Sequence, residues 1–158
     1  MAIAAMYLKM TGVTGESLAD GHVGDIDLVS WDWGVLSAAH TLSDGSPGGA
    51  SSFQALNLIK RVDRATPALF SLCDTHKVIS SATLTVSKAS GGSPLEYVTI
   101  DMTNVRIIKV DVRSEEAELK EHVTLSCETV TFNYKPQASG GAQASGPISF
   151  TAVHPATH

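Results

Sequence analysis

Apolar and polar side chains alternate along much of this chain, and the alternation predicts strands. Ile3 to Met10 is a short apolar run closed by Thr11 and Gly12, which reads as a first strand. From Ile26 to Gly34, Val29, Trp31 and Trp33 fall on one face while Ser30 and Asp32 fall on the other, as expected of a strand with a single apolar side. Phe53 to Val62 reads as a further strand. Ala82 to Lys88 alternates again, with Leu84 and Val86 set against Thr83, Thr85 and Ser87. In the β-rich stretch Leu95 to Val112 the apolar positions change parity between Met102 and Val105, which predicts a bulge or bend. Val123, Leu125 and Cys127 lie on odd positions and Val130, Phe132 and Tyr134 on even ones, so this strand also changes register partway. Ile148 to Val153 is a last short run.

One segment has a different period. Thr66 and Pro67 read as the N-cap and first position of a helix, and Ala68, Leu69, Leu72 and Cys73 recur at helical spacing. Gly15 to Gly24 is a glycine-punctuated loop. Residues 38–51, with Asp44-Gly45 and Pro47-Gly48-Gly49, form a long loop or hairpin tip. After Pro136, a Gly-, Ala- and Ser-rich spacer runs over about 137–147. The expected fold class is therefore mainly β: a small β-barrel of two curved, mostly antiparallel sheets with one short side helix at about 66–75. The two changes of parity argue for strongly curved strands, and the whole of 1–158 is expected to form one domain.

Composition narrows the function. The chain is 43% hydrophobic and only 17% charged, too apolar for disorder and low in charge for a small domain that stands alone, so part of its surface is expected to be covered by partners. A net charge of -5 argues against nucleic acid as a ligand. The two cysteines, Cys73 and Cys127, are far apart and fit no disulfide framework or zinc spacing. The N-terminus does not read as a signal peptide, and no stretch approaches the length of a membrane span. Cytoplasmic synthesis without stable membrane insertion is expected, and export without a cleaved signal stays open.

The chemistry of an enzyme does not stand out. His22, Asp25 and Asp27 are near one another but meet no metal-ligand spacing, and read as a solvated loop end. Asp63, His76 and a serine can be drawn as a triad only without a framing nucleophile motif. Gly91-Gly92-Ser93 lacks the lysine and following helix of a phosphate loop. The run Glu115 to Glu121, with Lys120 inside it, reads as a cap on an exposed turn or edge. No catalytic residue, cofactor or metal is assigned.

A set of ordered segments carries a resemblance. Lys9 is followed by Gly15-Glu16-Ser17, His22, Ile26-Asp27 and the strand end Trp31-Asp32-Trp33-Gly34. Next come Asp63-Arg64-Ala65-Thr66-Pro67-Ala68-Leu69, Cys73, Ala82 to Lys88, Pro94-Leu95-Glu96-Tyr97, Val123-Thr124-Leu125 and Tyr134-Lys135-Pro136-Gln137. In this order, over nearly the whole chain, they resemble the haemolysin-coregulated protein (Hcp) family, the tube subunits of bacterial type VI secretion systems. Two features depart from the family pattern. Phe150 is the last aromatic before the tail 154–158, and Lys88 is the only basic residue at the end of its strand.

The resemblance implies a β-barrel with a side helix that closes into homohexameric rings, which stack into a tube. It implies a contractile sheath, a spike protein at the tip and small effector proteins held in the lumen as partners, and no cofactor or catalysis. It places the subunit in the cytoplasm when assembled, and outside or in a target cell once the machinery has fired. The residue between the tryptophans, Asp32, would face the lumen together with Ser30, giving a ring of carboxylates that favours basic cargo. The protruding loop would supply subunit or ring-stacking contacts through His40, Thr41, Leu42, Ser43, Asp44 and Gly45. The competing reading is a secreted ligand-binding β-barrel that forms no tube.

Overall fold

The computed structural model describes residues 3–37, 40–41, 45, 47–48, 51–90, 92–136 and 146–153, of which 40, 41, 47, 48 and 51 are described by backbone alone. In chain order the strands are β1 (Ile3–Met10), β2 (Ile26–Asp27), β3 (Ser30–Asp32), β4 (Val35–Ser37), β5 (His40–Thr41), β6 (Pro47–Gly48), β7 (Ser51–Phe53) and β8 (Leu56–Arg61). After helix α1 (Thr66–Thr75) come β9 (Ile79–Lys88), β10 (Leu95–Glu115), β11 (Glu118–Ser126), β12 (Thr129–Tyr134) and β13 (Ile148–Val153). All their pairings are antiparallel. Among the described residues the structure has the mainly β class with one helix.

Strand β10 organises the fold. Its first part pairs with β9 on one edge and β12 on the other, and its second part, from Arg106, pairs with β11. The result is a nine-stranded sheet of two wings, β2-β1-β9-β10-β12-β13 and β10-β11-β8-β3. The parity change between Met102 and Val105 marks the crossing from one wing to the other. Ile100, Met102, Val105 and Ile107 are all buried, which requires a one-residue slip, and Asn104 absorbs it with φ 48°. The second parity change has a different cause from the one expected. Residues 123–134 are two strands, broken at Cys127 and Glu128, with β11 on one wing and β12 on the other.

Four expectations are corrected. The sheet is not a closed barrel: the two ends of its strand path, β2 and β3, are not paired with each other. They are successive pieces of one segment, because the Ile26 to Gly34 strand breaks at Leu28-Val29. There the Leu28 amide donates to Met6 O at 3.0 Å, and the Val29 amide turns to Ile59 O at 2.7 Å. The chain thus leaves β1 for β8 within one residue. Phe53 to Val62 is likewise divided, with β7 ending at Phe53 and β8 starting at Leu56. Thr66 is not the N-cap of α1. Ala65 holds that position, and the Asp63 carboxylate accepts from the Ala65 amide at 2.9 Å, leaving the Thr66 hydroxyl free for another task.

The core lies between the wings and under α1. Leu8, Leu58, Leu84, Ile100, Val105 and Leu125 are each at most 1% exposed, and full burial of one such side chain is worth about 1.5–3 kcal/mol. Leu69 brings the helix into this core, with Leu72 and Cys73 packed partly against it. The segment 38–51 is a hairpin tip in its described parts: β4 pairs with β7, and β5 with β6.

Candidate functional site

The outward face of the narrow wing, β10-β11-β8-β3, gathers the most varied chemistry. Register sets its rows. Trp31 lies opposite Leu58 and packs on the core, so its neighbours in sequence, Ser30 and Asp32, point away, opposite Ile59 and Asn57. The next strands continue the rows, with Asn57 opposite Thr124 and Lys109 beyond it, and Ile59 opposite His122 and Asp111 beyond that. A shallow depression of about 180 Å³ opens here, lined by Ser30, Asp32, Asn57, Lys109, Arg113, His122 and Thr124 among others.

Hydrogen bonds order this face. The Thr124 hydroxyl donates to Asn57 Oδ1 at 2.8 Å, and Asn57 Nδ2 donates to Asp32 Oδ1 at 3.1 Å. Arg113 and Lys109 reach the Asp111 carboxylate at 3.1 and 3.2 Å, and their hydrogen bonds hold its pKa below the ordinary value. His122 pairs with Glu115 at 2.9 Å. Asp32 is answered by an amide alone. Among the described residues, no cation stands within ion-pair distance of it.

The other sequence-derived candidates scatter. The backbones of His40 and Thr41 form β5, and Gly45 has the positive φ of 86° that a tight turn asks of glycine. Leu42, Ser43 and Asp44 lie outside the described residues. Asp63 and His76 belong to different settings, since His76 sits in the left-handed conformation at the end of α1. Of Gly91-Gly92-Ser93, Gly91 lies outside the described residues and the other two form a bend.

Two clusters were hidden from sequence. His22 joins Asp25 as proximity allows, but its second partner is remote: Nδ1 is 2.8 Å from Asp25 Oδ2, and Nε2 is 2.6 Å from Glu96 Oε1. A carboxylate at each ring nitrogen favours the protonated imidazole, whose two N–H groups can donate to both. Burial works against that charge, but the hydrogen bonds to Asp25 and Glu96 outweigh it and raise the pKa. The ring also stacks on Tyr7, centroids 4.2 Å apart. Burial, with Asp27 and Glu96 nearby, raises the Tyr7 pKa in turn.

The second cluster sits under α1. Lys60, fully buried, donates to Glu121 Oε2 at 2.7 Å, to Asp63 Oδ1 at 2.8 Å and to Thr66 Oγ1 at 3.2 Å. The Thr66 hydroxyl donates to Glu121 Oε2 at 2.6 Å. Glu121 was expected on an exposed turn, yet it alternates inward with Val123 and Leu125. That alternation was the available signal. The turn itself is made by Glu116 and Ala117, both at positive φ.

No group of three or more metal-binding side chains occurs among the described residues, and no described helix is long and apolar enough to cross a membrane.

With this geometry in hand, comparison with known proteins gives one consistent family. Residues 7–137 match the family described as type VI secretion system effector, Hcp. Protein hcp1 of Pseudomonas aeruginosa is 34% identical over 148 residues, covering 92% of this chain and 91% of that protein. A type VI secretion system effector from Yersinia pestis superposes with a TM-score of 0.77 at 29% identity, covering 94% and 99% of the two chains. Hcp1 from Salmonella typhimurium does so with 0.74 at 29% identity, covering 97% and 95%.

Proposed function

Because this chain belongs to the Hcp family of type VI secretion proteins, we propose that it is a ring-forming tube subunit whose narrow-wing face lines a central channel. The family is a structural secretion-system family and not an enzyme family. In this reading six copies close into a ring and rings stack into a tube inside a contractile sheath, tipped by a spike. The tube is expelled with small effectors in its lumen.

The observation that carries the reading is the register at β3. Trp31 packs inward opposite Leu58, while Asp32 faces outward opposite Asn57. A sixfold copy of this face sets six Asp32 carboxylates around the channel. The same face carries Lys109 and Arg113, but Asp111 engages both. In this reading Asp32, the carboxylate of this face with no cation within ion-pair distance, is what draws an effector with a basic patch. Within the protruding loop, residues 40–45 make contacts between subunits or stacked rings.

The test is to purify the protein and measure its mass by size-exclusion chromatography with light scattering, with negative-stain imaging of the same fractions. Closed hexameric rings are the expected result. A monomer at high concentration would sink the reading and favour a ligand-binding domain. Replacing residues 41–46 with Gly-Ser tests the loop: unchanged rings and tubes would remove it from the contacts.

A further inference from the structure

Loop 14–25, between β1 and β2, is braced along its length. The Gly15 amide donates to Gly24 O at 2.7 Å, the Gly24 amide to Ser17 O at 2.9 Å, and the Ser17 amide to Asp25 O at 3.0 Å. Its two arms run so close together that a Cβ on Gly15 would collide with the Asp25 carbonyl. Glu16 accepts from the Arg64 amide at 3.2 Å and ties one side of the loop to the start of α1. The other side depends on one side chain. Among the described residues, the single hydrogen bond from loop 14–25 to β9 or β10 is that between His22 and Glu96.

His22 stands at a pivot, with Gly21 and Gly24 near it at φ 79° and 84°, conformations that glycine adopts without strain. Its ring lies on Tyr7 and presents Nδ1 to Asp25 within the loop and Nε2 to Glu96 across from it. The space beside the ring, about 250 Å³, is lined by Tyr7, Asp20, Ser87, Ser93 and Glu96 among others. The charged groups here are carboxylates: Asp20 and Asp25 from the loop and Glu96 from β10, with Asp27 of β2 opposite Tyr7. The Tyr7 hydroxyl, its pKa raised, stays neutral. Lys88 of β9 holds its ammonium 4.7 Å over the Tyr97 ring, and Lys9 of β1 makes no ion pair among the described residues.

The two carboxylates differ in what loss of the ring proton costs them. A protonated ring serves both, whereas a neutral ring has one N–H. The Asp25 side chain is 11% exposed and that of Glu96 44%. An unanswered Asp25 stays out of water, while Glu96 can turn into it. The neutral ring therefore keeps its proton on Nδ1, facing Asp25, and the proton that leaves for solvent comes from Nε2. The Nε2 lone pair then faces a carboxylate oxygen, and the contact across the loop becomes repulsive.

We propose that His22 is a proton-operated clasp, which closes loop 14–25 onto the start of β10 when its ring is protonated and releases Glu96, but not Asp25, when Nε2 gives up its proton. The ring's pKa is raised above its ordinary value of 6.5, so the clasp is closed below that value and opens as pH rises through the folded pKa. The flank it governs displays Leu18 and Val23, 88% and 72% exposed, and the proton on His22 sets how firmly this apolar pair is held. The clasp belongs to one subunit and does not rest on the tube reading.

Nuclear magnetic resonance of the full chain, from about pH 5.5 to about pH 9.5, tests it. The imidazole nitrogen shifts are expected to show a neutral ring protonated on Nδ1. Over the same titration the exchange protection of the His22 and Gly24 amides, corrected for intrinsic pH dependence, is expected to fall about tenfold further than that of the Leu84 and Ile100 amides. Glu96→Gln, at a half-exposed position, separates the clasp from general loosening, because the new amide can donate to the neutral Nε2. This variant is expected to keep its loop protection across the range. A neutral ring protonated on Nε2, unchanged loop protection in wild type, or an equal fall in Glu96→Gln would overturn the clasp.

Discussion

Lys60 and Glu121 face each other across β8 and β11 at 2.7 Å with neither side chain exposed. Lys60 lies on the inward side of its strand, between the same sheets as Leu58. Its ammonium survives there because Glu121, Asp63 and Thr66 together surround it. The pair ties the start of α1 to the narrow wing, where hydrophobic packing alone would let the helix slide.

Removing one partner leaves the other charge buried and unanswered. Lys60→Met or Glu121→Leu alone is expected to lower stability by about 3–5 kcal/mol, read as a fall in the urea midpoint. The double replacement is expected to recover most of that loss, because it removes both desolvation costs. A double variant no more stable than the singles would show that the ion pair itself, and not the absence of orphaned charge, is what the helix needs.

The His22 bridge has a definite sign with pH. Its folded pKa is raised above the ordinary value of 6.5, so its contribution to stability is complete below that value and is lost as pH rises through the folded pKa. Wild type is expected to lose Tm over that interval, and His22→Gln to lose less. At pH 6 the substitution itself should cost about 1–2 kcal/mol, at the low end because Glu96 is substantially exposed. Identical pH profiles for the two proteins would rule the bridge out as the cause.

Burial pushes the Cys127 thiol up to about 11. Only about one molecule in a thousand then carries the thiolate at pH 8, so alkylation by iodoacetamide at this site should be on the order of 100-fold slower in the folded protein than in urea. Peptide mapping of labelled Cys127 against time measures it. Equal rates would mean that the thiol is open to solvent.

Asp32→Asn keeps the shape of the face and the approach of Asn57 while removing the carboxylate charge. Retention of a basic effector by the rings is expected to fall about tenfold at low salt, with an acidic one gaining or unchanged, and the difference should shrink as salt rises. Co-purification of charge-matched cargoes reads this out. Equal retention of basic and acidic cargo by wild type would remove the electrostatic preference.

Much of the fold was legible because strands with one buried face announce themselves by alternation. The parity change between Met102 and Val105 bracketed the bend in β10, which Asn104 makes. The outward direction of Asp32 followed from the same rule. Three features failed for local reasons. Ile26 to Gly34 looked continuous, since side-chain type does not record that the backbone changes partner at Leu28-Val29. The run at 123–134 looked like one strand with a slip, since a strand break and a bulge leave the same mark on parity. Thr66 looked like an N-cap, since a threonine before a proline has that pattern wherever its hydroxyl is directed.

Charge was the least legible. His22 and Glu96 are 74 residues apart, and Lys60 and Glu121 are 61 apart. No periodicity connects such pairs, because the partner of a charged group is chosen by the register of strands that meet only when the sheet has formed. The sequence by itself determined which faces are apolar, where strands bend and which family the chain resembles, all of them consequences of local side-chain order. Only the tertiary structure decided which lysine is buried, which loop is braced and which carboxylate stands without a cation, because those depend on what the fold brings alongside.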